Sequence, residues 1–567
     1  MRFSHSLSAI GFLFISSISS TYAANITFVN NTPAVVHLDY TNCTWVSGSQ
    51  PDGSGNFPSH ASALYSCAPY QNLDFAQYGV DTIITPAPKS YISVNAGGVA
   101  GLSTDSIDVT LKSNTATIAW PVPKLNYTDM ASNIGTIVQQ YIALKPSPAT
   151  SLLPNVIAMD TQTLTAQKNS PDWQLQASYD ASRFPLWNGA YCLANVGVQL
   201  CPHDFLTSYM QSVKTSSPSG SINTAGYWAF TAGSYQDGQA VAGGSADVKP
   251  ALVGPLAVAE AAVDNGQTTS DGYYNTLINQ LASYDLNVHT PNSAQGQGYP
   301  NSSDPYFNGA LNLLTEALLT GNGNFNLNAS DSRTGYVSYN QFMANYTAWT
   351  KDGFIVPFTV SDENGKEYPG IRVVFSVDVA PHTGGDNWKD AGASPTVSEG
   401  MAYGLLVSYA ANDQASFDKM LNYILFEART VGCAGMDSTQ TSCSVKTNYL
   451  MPWMVDQTGK PFHYVNAGGF LTNGSATDAD LNIAWALSLA NDKWKTPSNN
   501  LMGNENYAQL ITDLKNEMAF FDFNQQVNFM GNGNYTTFSP GSQWGNAGRS
   551  VLYPGYDAPA ALKAMAS

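Results

Sequence analysis

The chain has 567 residues, with 41 acidic and 23 basic side chains, a formal net charge of −18, and only 11% charged residues. A polyanion such as nucleic acid needs basic patches to neutralise its phosphates, so that class of partner is excluded. With 31 Tyr and 11 Trp among sparse charges, the surface suits neutral, hydroxyl-rich partners, and the acidic balance would also attract a cationic polymer.

In chain order, the first segment is MRFSHSLSAIGFLFISSISSTYAA. Arg2 and His5 precede a short apolar run, and small residues allow a cut after Ala23, which predicts a secretory signal peptide over 1–23 rather than a membrane anchor. No later run is long enough to span a bilayer, so an exported protein with no membrane partner is expected. The six cysteines fall into three locally spaced pairs, Cys43/Cys67, Cys192/Cys201 and Cys433/Cys443, which predicts three short-loop disulfides and no metal site.

Residues 24–121 read as β structure. The runs NITFVN, AVVHLDY, DTIIT, YISV, DVTL and ATIAW are rich in β-branched and aromatic residues and are separated by Gly, Ser, Pro and Asn. They predict a small sandwich-like domain, either a carbohydrate-binding module or a structural cap. Residues 122–567 switch to a helical period. Twelve helices are predicted, near 128–143, 181–195, 203–214, 249–264, 271–284, 306–319, 338–350, 399–411, 415–428, 478–490, 506–520 and 557–566. Six helical hairpins closed into a toroid would accommodate that number. GNGNFNLNASDSRTG (321–335) reads as a connector and lacks the spacing of a calcium-binding EF-hand.

Three helices open on carboxylates. In ATDADLNIAWALSLANDKW (476–494), Asp478 and Asp480 precede a helix that is apolar nearly all round. One aspartate suffices for a cap, and a second points to a cavity at that end. In TVSEGMAYGLLVSY (396–409), Glu399 follows Ser398 directly, whereas a capping box would place it three residues on. In YDASRFPLW (179–187), Asp180 stands three residues from Arg183, which reads as a same-face ion pair that keeps the aspartate ionised. Carboxylates meeting at one end of a helical toroid are what glycosidic cleavage requires: an acid for the leaving oxygen and a base for water. Neither the G-x-S-x-G of serine hydrolases nor the H-E-x-x-H of zinc enzymes is present.

These three stretches, with LMPWMVD (450–456) and YPGYDAPAALKAM (553–565), resemble glycoside hydrolase family 8. The resemblance implies an (α/α)6 barrel over 122–567 and an inverting endo-β-1,4-glucanase without cofactor or metal, acting as a monomer on cellulose or a related β-glucan. Chitosanase, xylanase or a non-catalytic polysaccharide binder are the alternatives. It implies Glu399 as general acid, Asp180 as base and Asp478 as the residue that holds the sugar at the cleavage point. Tyr179, Arg183, Tyr403, Trp453 and Tyr556 become candidate substrate-binding residues, whereas Trp485 sits within a buried helix and reads as core. The order differs from the family's usual one. The base segment comes first, FNGALNLLTEALLTG (307–321) looks like the usual last helix and YNQFMANYTAWTKDGFIV (339–356) like the usual first, so the resemblance implies a circularly permuted ring.

Overall fold

The computed structural model describes the strands within 24–119 together with residues 49–50, and then 127–143, 153–154, 156–159, 166, 179–195, 201–216, 235–236, 239–240, 250–264, 272–282, 305–327, 337–351, 354–374, 395–436, 443–461, 463–464, 470–471, 473–526, 535–538, 540–542 and 551–566. The predicted signal peptide and residues 328–335 of the connector lie outside these. The chain divides into two compact units, Met1–Pro121 and Val122–Ser567.

In the first unit ten strands are described: β1 (Ala24–Asn30), β2 (Val36–Tyr40), β3 (Cys43–Gly48), β4 (Asn56–Phe57), β5 (Ser62–Cys67), β6 (Leu73–Gln77), β7 (Val80–Ile84), β8 (Ile92–Ala96), β9 (Asp108–Lys112) and β10 (Thr115–Ala119). They form a five-stranded sheet in the order β3-β5-β1-β10-β9, a three-stranded sheet β4-β2-β8 and the hairpin β6-β7. β1 and β10 run parallel and the other pairings of the large sheet are antiparallel. The register sets Cys43 opposite Cys67.

Twelve helices of eight residues or more are described in the second unit, each within three residues of a predicted range. They are α1 (Tyr127–Ala143), α2 (Tyr179–Ala194), α3 (His203–Ser216), α4 (Pro250–Val263), α5 (Tyr273–Ala282), α6 (Pro305–Thr320), α7 (Tyr339–Lys351), α8 (Ser398–Ala410), α9 (Gln414–Val431), α10 (Thr477–Lys493), α11 (Tyr507–Phe521) and α12 (Pro559–Ala566). They alternate between an outer and an inner position. The inner helices pack in sequence, α2 on α4, α4 on α6, α6 on α8, α8 on α10 and α10 on α12, and α12 returns to α2. The outer helices cover this ring: α3 and α5 lie on α4, α7 on α6, α9 on α8, α11 on α10 and α1 on α12.

Side-chain chemistry sorts the two sets. α8 is apolar or small all round, and all but one of its residues are buried, as an inner wall requires. α9 is amphipathic, with Phe417, Met420, Leu421 and Ile424 facing inward. Asp413 caps its start by accepting the Ser416 N–H at 3.0 Å. α2 and α4 approach so closely at Gly189 that a Cβ there would lie 2.8 Å from Ala259 Cα. Two predicted disulfides, Cys192–Cys201 and Cys433–Cys443, are formed.

The longest of several short strand pairs described in the second unit escapes the helical reading. Ile355–Ser361 and Glu367–Val373 pair as an antiparallel hairpin that packs on α9. Its turn is set by Asp362, whose carboxylate accepts the Asn364 and Lys366 N–H groups, both at 2.9 Å.

Candidate active site

Three of the inner helices, α2, α8 and α10, bring their first turns together. Arg183, in the first turns of α2, is only 5% exposed. Its Nη1 donates to Asp478 in the first turn of α10, and its Nε lies 3.0 Å from Glu399 Oε1 in the first turn of α8. Residues up to 295 positions apart thus meet at one guanidinium. The sequence pattern suggested Asp180 as the partner of Arg183. Among the described residues Arg183 pairs with Glu399 and Asp478, because ring closure brings α8 and α10 to the same end of α2 as the guanidinium. Tyr179 and Asp180 begin α2, and their side chains lie outside the described residues.

Neither acid is a cap. Val397 is the N-cap residue of α8 and Ala476 that of α10, and neither uses a side chain. Backbone carbonyls fill the role: Ser398 N donates to Trp453 O at 3.1 Å and Thr477 N to Pro540 O at 3.2 Å. The two carboxylates gain the favourable field of a helix N-terminus while remaining available to other partners.

Trp453 ties these segments together. Its N–H donates to Gly474 O at 2.7 Å while its carbonyl receives Ser398 N, and Thr396–Val397 pairs with Met454–Val455. The chain entering α8, the LMPWMVD segment and the chain entering α10 thus form one continuous floor. Its indole is half-buried.

Tyr403, one turn after Glu399 and fully buried, donates its hydroxyl to Glu399 Oε1. Burial, then the Glu399 carboxylate, holds its pKa well above the usual phenol range, so it keeps its proton and acts as donor. Tyr403 Oη thus donates to the same Oε1 that lies 3.0 Å from Arg183 Nε in the ion pair. Glu399 itself retains 12% side-chain exposure, more than Asp478 or Arg183.

Tyr556 lies in a 3-10 turn, Pro554–Tyr556, that packs on α2. Its ring stacks on Tyr553 with centroids 4.9 Å apart, and Arg183 Cζ lies 5.8 Å from its centroid. Trp187 and Trp485 are core, 2% and 6% exposed, and meet edge to face at 5.9 Å. Of the predicted set, Arg183, Glu399, Tyr403, Asp478 and Tyr556 stand together.

Supporting residues that sequence reasoning missed lie behind this cluster. Asp557 follows Tyr556 and is clamped to α2 by Asn188, whose amide donates to the Asp557 carboxylate and carbonyl, each at 3.2 Å. Burial pushes the Asp557 carboxyl up to about 7. Glu517 on α11 accepts the N–H groups of Asn448, Tyr449 and Leu450 and so anchors the approach to Trp453. A buried acid inside a polar run was the available signal, but its partner is known only once the ring closes. Among the described residues no group of three or more His, Cys, Asp and Glu side chains is placed to hold a metal ion, and no helix is long and apolar enough to cross a membrane.

Comparison with known proteins agrees with this assembly. Residues 389–566 match the family model described as glycosyl hydrolases family 8. Endoglucanase A of Acetivibrio thermocellus is 34% identical over 171 residues, which is 30% of this chain and 28% of that protein. Endoglucanase C of Ruminiclostridium cellulolyticum is 33% identical over 165 residues, 29% of this chain and 28% of that one. The chain therefore spans less than a third of the length of these relatives. A solved structure of D-mannose isomerase covers 79% of this chain and 99% of its own at 7% identity with a TM-score of 0.43, a likeness too distant to inform the chemistry.

Proposed function

From the premise that residues 389–566 carry the sequence of glycosyl hydrolases family 8, we propose that this chain is a secreted, inverting endo-β-1,4-glucanase acting on cellulose or a related β-glucan. The observation that carries the reading is Arg183 held between Glu399 and Asp478. One guanidinium offsets one of the two carboxylate charges, so the site is electrically balanced when a single proton resides on the acids. Tyr403 and Arg183 both address Glu399 Oε1. A proton carried by Glu399 accordingly sits on Oε2, where it can pass to a glycosidic oxygen.

In this mechanism Asp478, charge-paired and buried, binds the sugar at the cleavage point. Glu399 protonates the departing oxygen as its bond to the anomeric carbon breaks. Water attacks that carbon from the opposite face and gives its proton to Asp180, so the configuration inverts. Solvent then returns a proton to Glu399 and removes one from Asp180. Room for the water implies carboxyl groups roughly 6.5–9.5 Å apart. Tyr179, Trp453 and Tyr556 flank the sugar path, and the aromatic faces stack on apolar sugar faces.

The same reading accounts for segment order. Residues 180–183 lie outside the family match, yet α2 closes the ring between α12 and α4. A circular permutation, with α7 as the family's first helix and α6 as its last, brings the base segment to its usual place in the ring. The N-terminal β unit serves as an accessory domain.

The decisive experiment is reducing-sugar release from cellulose, mixed-linkage β-glucan, xylan and chitosan, with the Glu399→Gln variant as control. Release from the β-glucans that disappears in the variant, with polymer binding retained, is the expected result. Release from chitosan alone would move the substrate to the cationic polymer that the net charge of −18 also suits, and no release from any substrate would leave a binding protein.

A further inference from the structure

Directly behind Asp478 lies a second pair of acids that the mechanism does not use. Asp480 on α10 and Asp522, just after α11, are both fully buried, at 0% exposure. The two carboxyls act on each other, and Asp480 Oδ1 and Oδ2 and Asp522 Oδ2 are buried with no other hydrogen-bond partner among the described residues. Two ionised carboxylates have no hydrogen with which to bond each other, and a proton held by one of them would satisfy both. No cation among the described residues pairs with either. Ser475 Oγ donates to Asp522 Oδ1 at 3.0 Å, and Ser542 Oγ accepts the Ser475 N–H at 2.9 Å, so the pair is seated on the segment that enters α10.

Burial, the largest influence on both acids, favours retention of a proton and outweighs the opposing hydrogen bond from Ser475. Burial raises both carboxyls, and the acids that act on them, Asp478 from α10 and Glu517 from α11, raise them further. Other charged groups on the packing elements point elsewhere. Glu399 of α8 engages Arg183 and Tyr403, Asp557 engages Asn188, and Lys563 of α12 lies over the Tyr191 ring.

We propose that Asp480 and Asp522 are a proton-sharing positioning pair that locks the first turn of α10 against α11 and thereby holds Asp478 in register with Arg183 and Glu399. Loss of the shared proton sets two like charges against each other in a fully buried site with no cation among the described residues beside it, so α10 is pushed off α11 and Asp478 loses its place. The pair thus gives the enzyme an alkaline limit that originates outside the reacting acids. This inference rests on the proposed hydrolase reading for its catalytic consequence, but the proton itself can be observed without turnover.

The test uses the full chain and the variants Asp480→Asn, Asp522→Asn and Asp480→Leu. Melting temperature, the infrared carboxyl C=O band and β-glucan hydrolysis are followed from about pH 6 to about pH 9, where deeply buried carboxyls titrate. An amide can stand in for the protonated member, so either Asn variant should keep its activity near pH 6 within a few-fold. Its alkaline limb should move upward by at least about one pH unit, a shift that a purely structural role would not produce. Asp480→Leu, which cannot bond to Asp522, should lose at least about ten-fold in kcat. The parent should show a protonated-carboxyl band near neutral pH that weakens in each Asn variant. Absence of that band, or a melting profile with the same alkaline fall in parent and Asn variants, would overturn the proposal. If the parent hydrolyses none of the polymers, the functional reading fails while the band and the melting profiles still decide the pair.

Discussion

Arg183→Met is the most informative perturbation of this centre. Methionine keeps most of the side-chain volume and removes the guanidinium that Glu399 and Asp478 share. Breaking a buried ion pair by deleting one partner typically costs about 3–5 kcal/mol, because the charge left behind stays buried and unpaired. For a unit spanning Val122–Ser567, an unfolding entropy of about 2.1 cal/mol/K per residue converts about 4 kcal/mol into a melting-temperature loss of about 4 °C. The loss should be largest at about pH 7.5, where exposed carboxyls are ionised, and should shrink towards about pH 4, because protonation removes the unpaired charges. Displaced acids should also lower β-glucan hydrolysis on the order of 10²-fold. Differential scanning calorimetry at the two pH values, with reducing-sugar release at the higher one, reads both effects. Arg183→Lys, which has no fork to span two carboxylates, should fall between parent and Met. A Met variant as stable and active as the parent at neutral pH would refute the view that this guanidinium organises the site.

Three further outcomes are expected. Tyr403→Phe removes the hydroxyl on Glu399 Oε1 and should lower kcat by roughly ten-fold, the equivalent of about 1.4 kcal/mol for one hydrogen bond to a charged group, with the fold intact by circular dichroism. Asp557 carries a folded-state pKa of about 7 against 3.8 for the free group. Its contribution is therefore fully present below about pH 3.8 and is lost as pH rises to about 7, a change of up to about 4 kcal/mol. In Asp557→Asn that part of the pH dependence of melting should flatten, and an unchanged slope would argue against burial of an acid there. Gly541 lies so close to the segment entering α10 that a Cβ would stand 2.0 Å from Ser475 O. Gly541→Ala should therefore cost about 1–3 kcal/mol and loosen the entry to α10, read as a lower midpoint in urea with an unchanged slope.

The residues that the sequence singled out and those that the structure assembled overlap where the physics is local. The twelve helices were legible because each has its own period of apolar residues, which does not depend on what lies opposite. Glu399, Asp478 and Arg183 stood out because a charge next to an otherwise apolar stretch conflicts with burial unless it has a task. The hairpin Ile355–Ser361 with Glu367–Val373 was missed, since short strands in a helical context carry little signal of their own and are selected by the α9 face they cover. The side-chain cap that a helix start usually calls for is absent from α8 and α10 for a related reason: the Ser398 and Thr477 N–H groups are taken by carbonyls from Trp453 and Pro540 respectively, each more than fifty residues away.

The amino-acid order alone thus determined which segments are helices, which of them are buried on all sides, and that three of them begin with acids. It could not determine who pairs with whom. Arg183 has Asp180 as a local partner by spacing, and only closure of α12 onto α2 offers it Glu399 and Asp478. Asp522 and Asp557 read as polar residues of helix ends until packing buries them. A helix period is set within about 3.6 residues per turn, whereas an ion pair or a shared proton depends on distances that a chain acquires only when remote segments are brought into the same few ångströms.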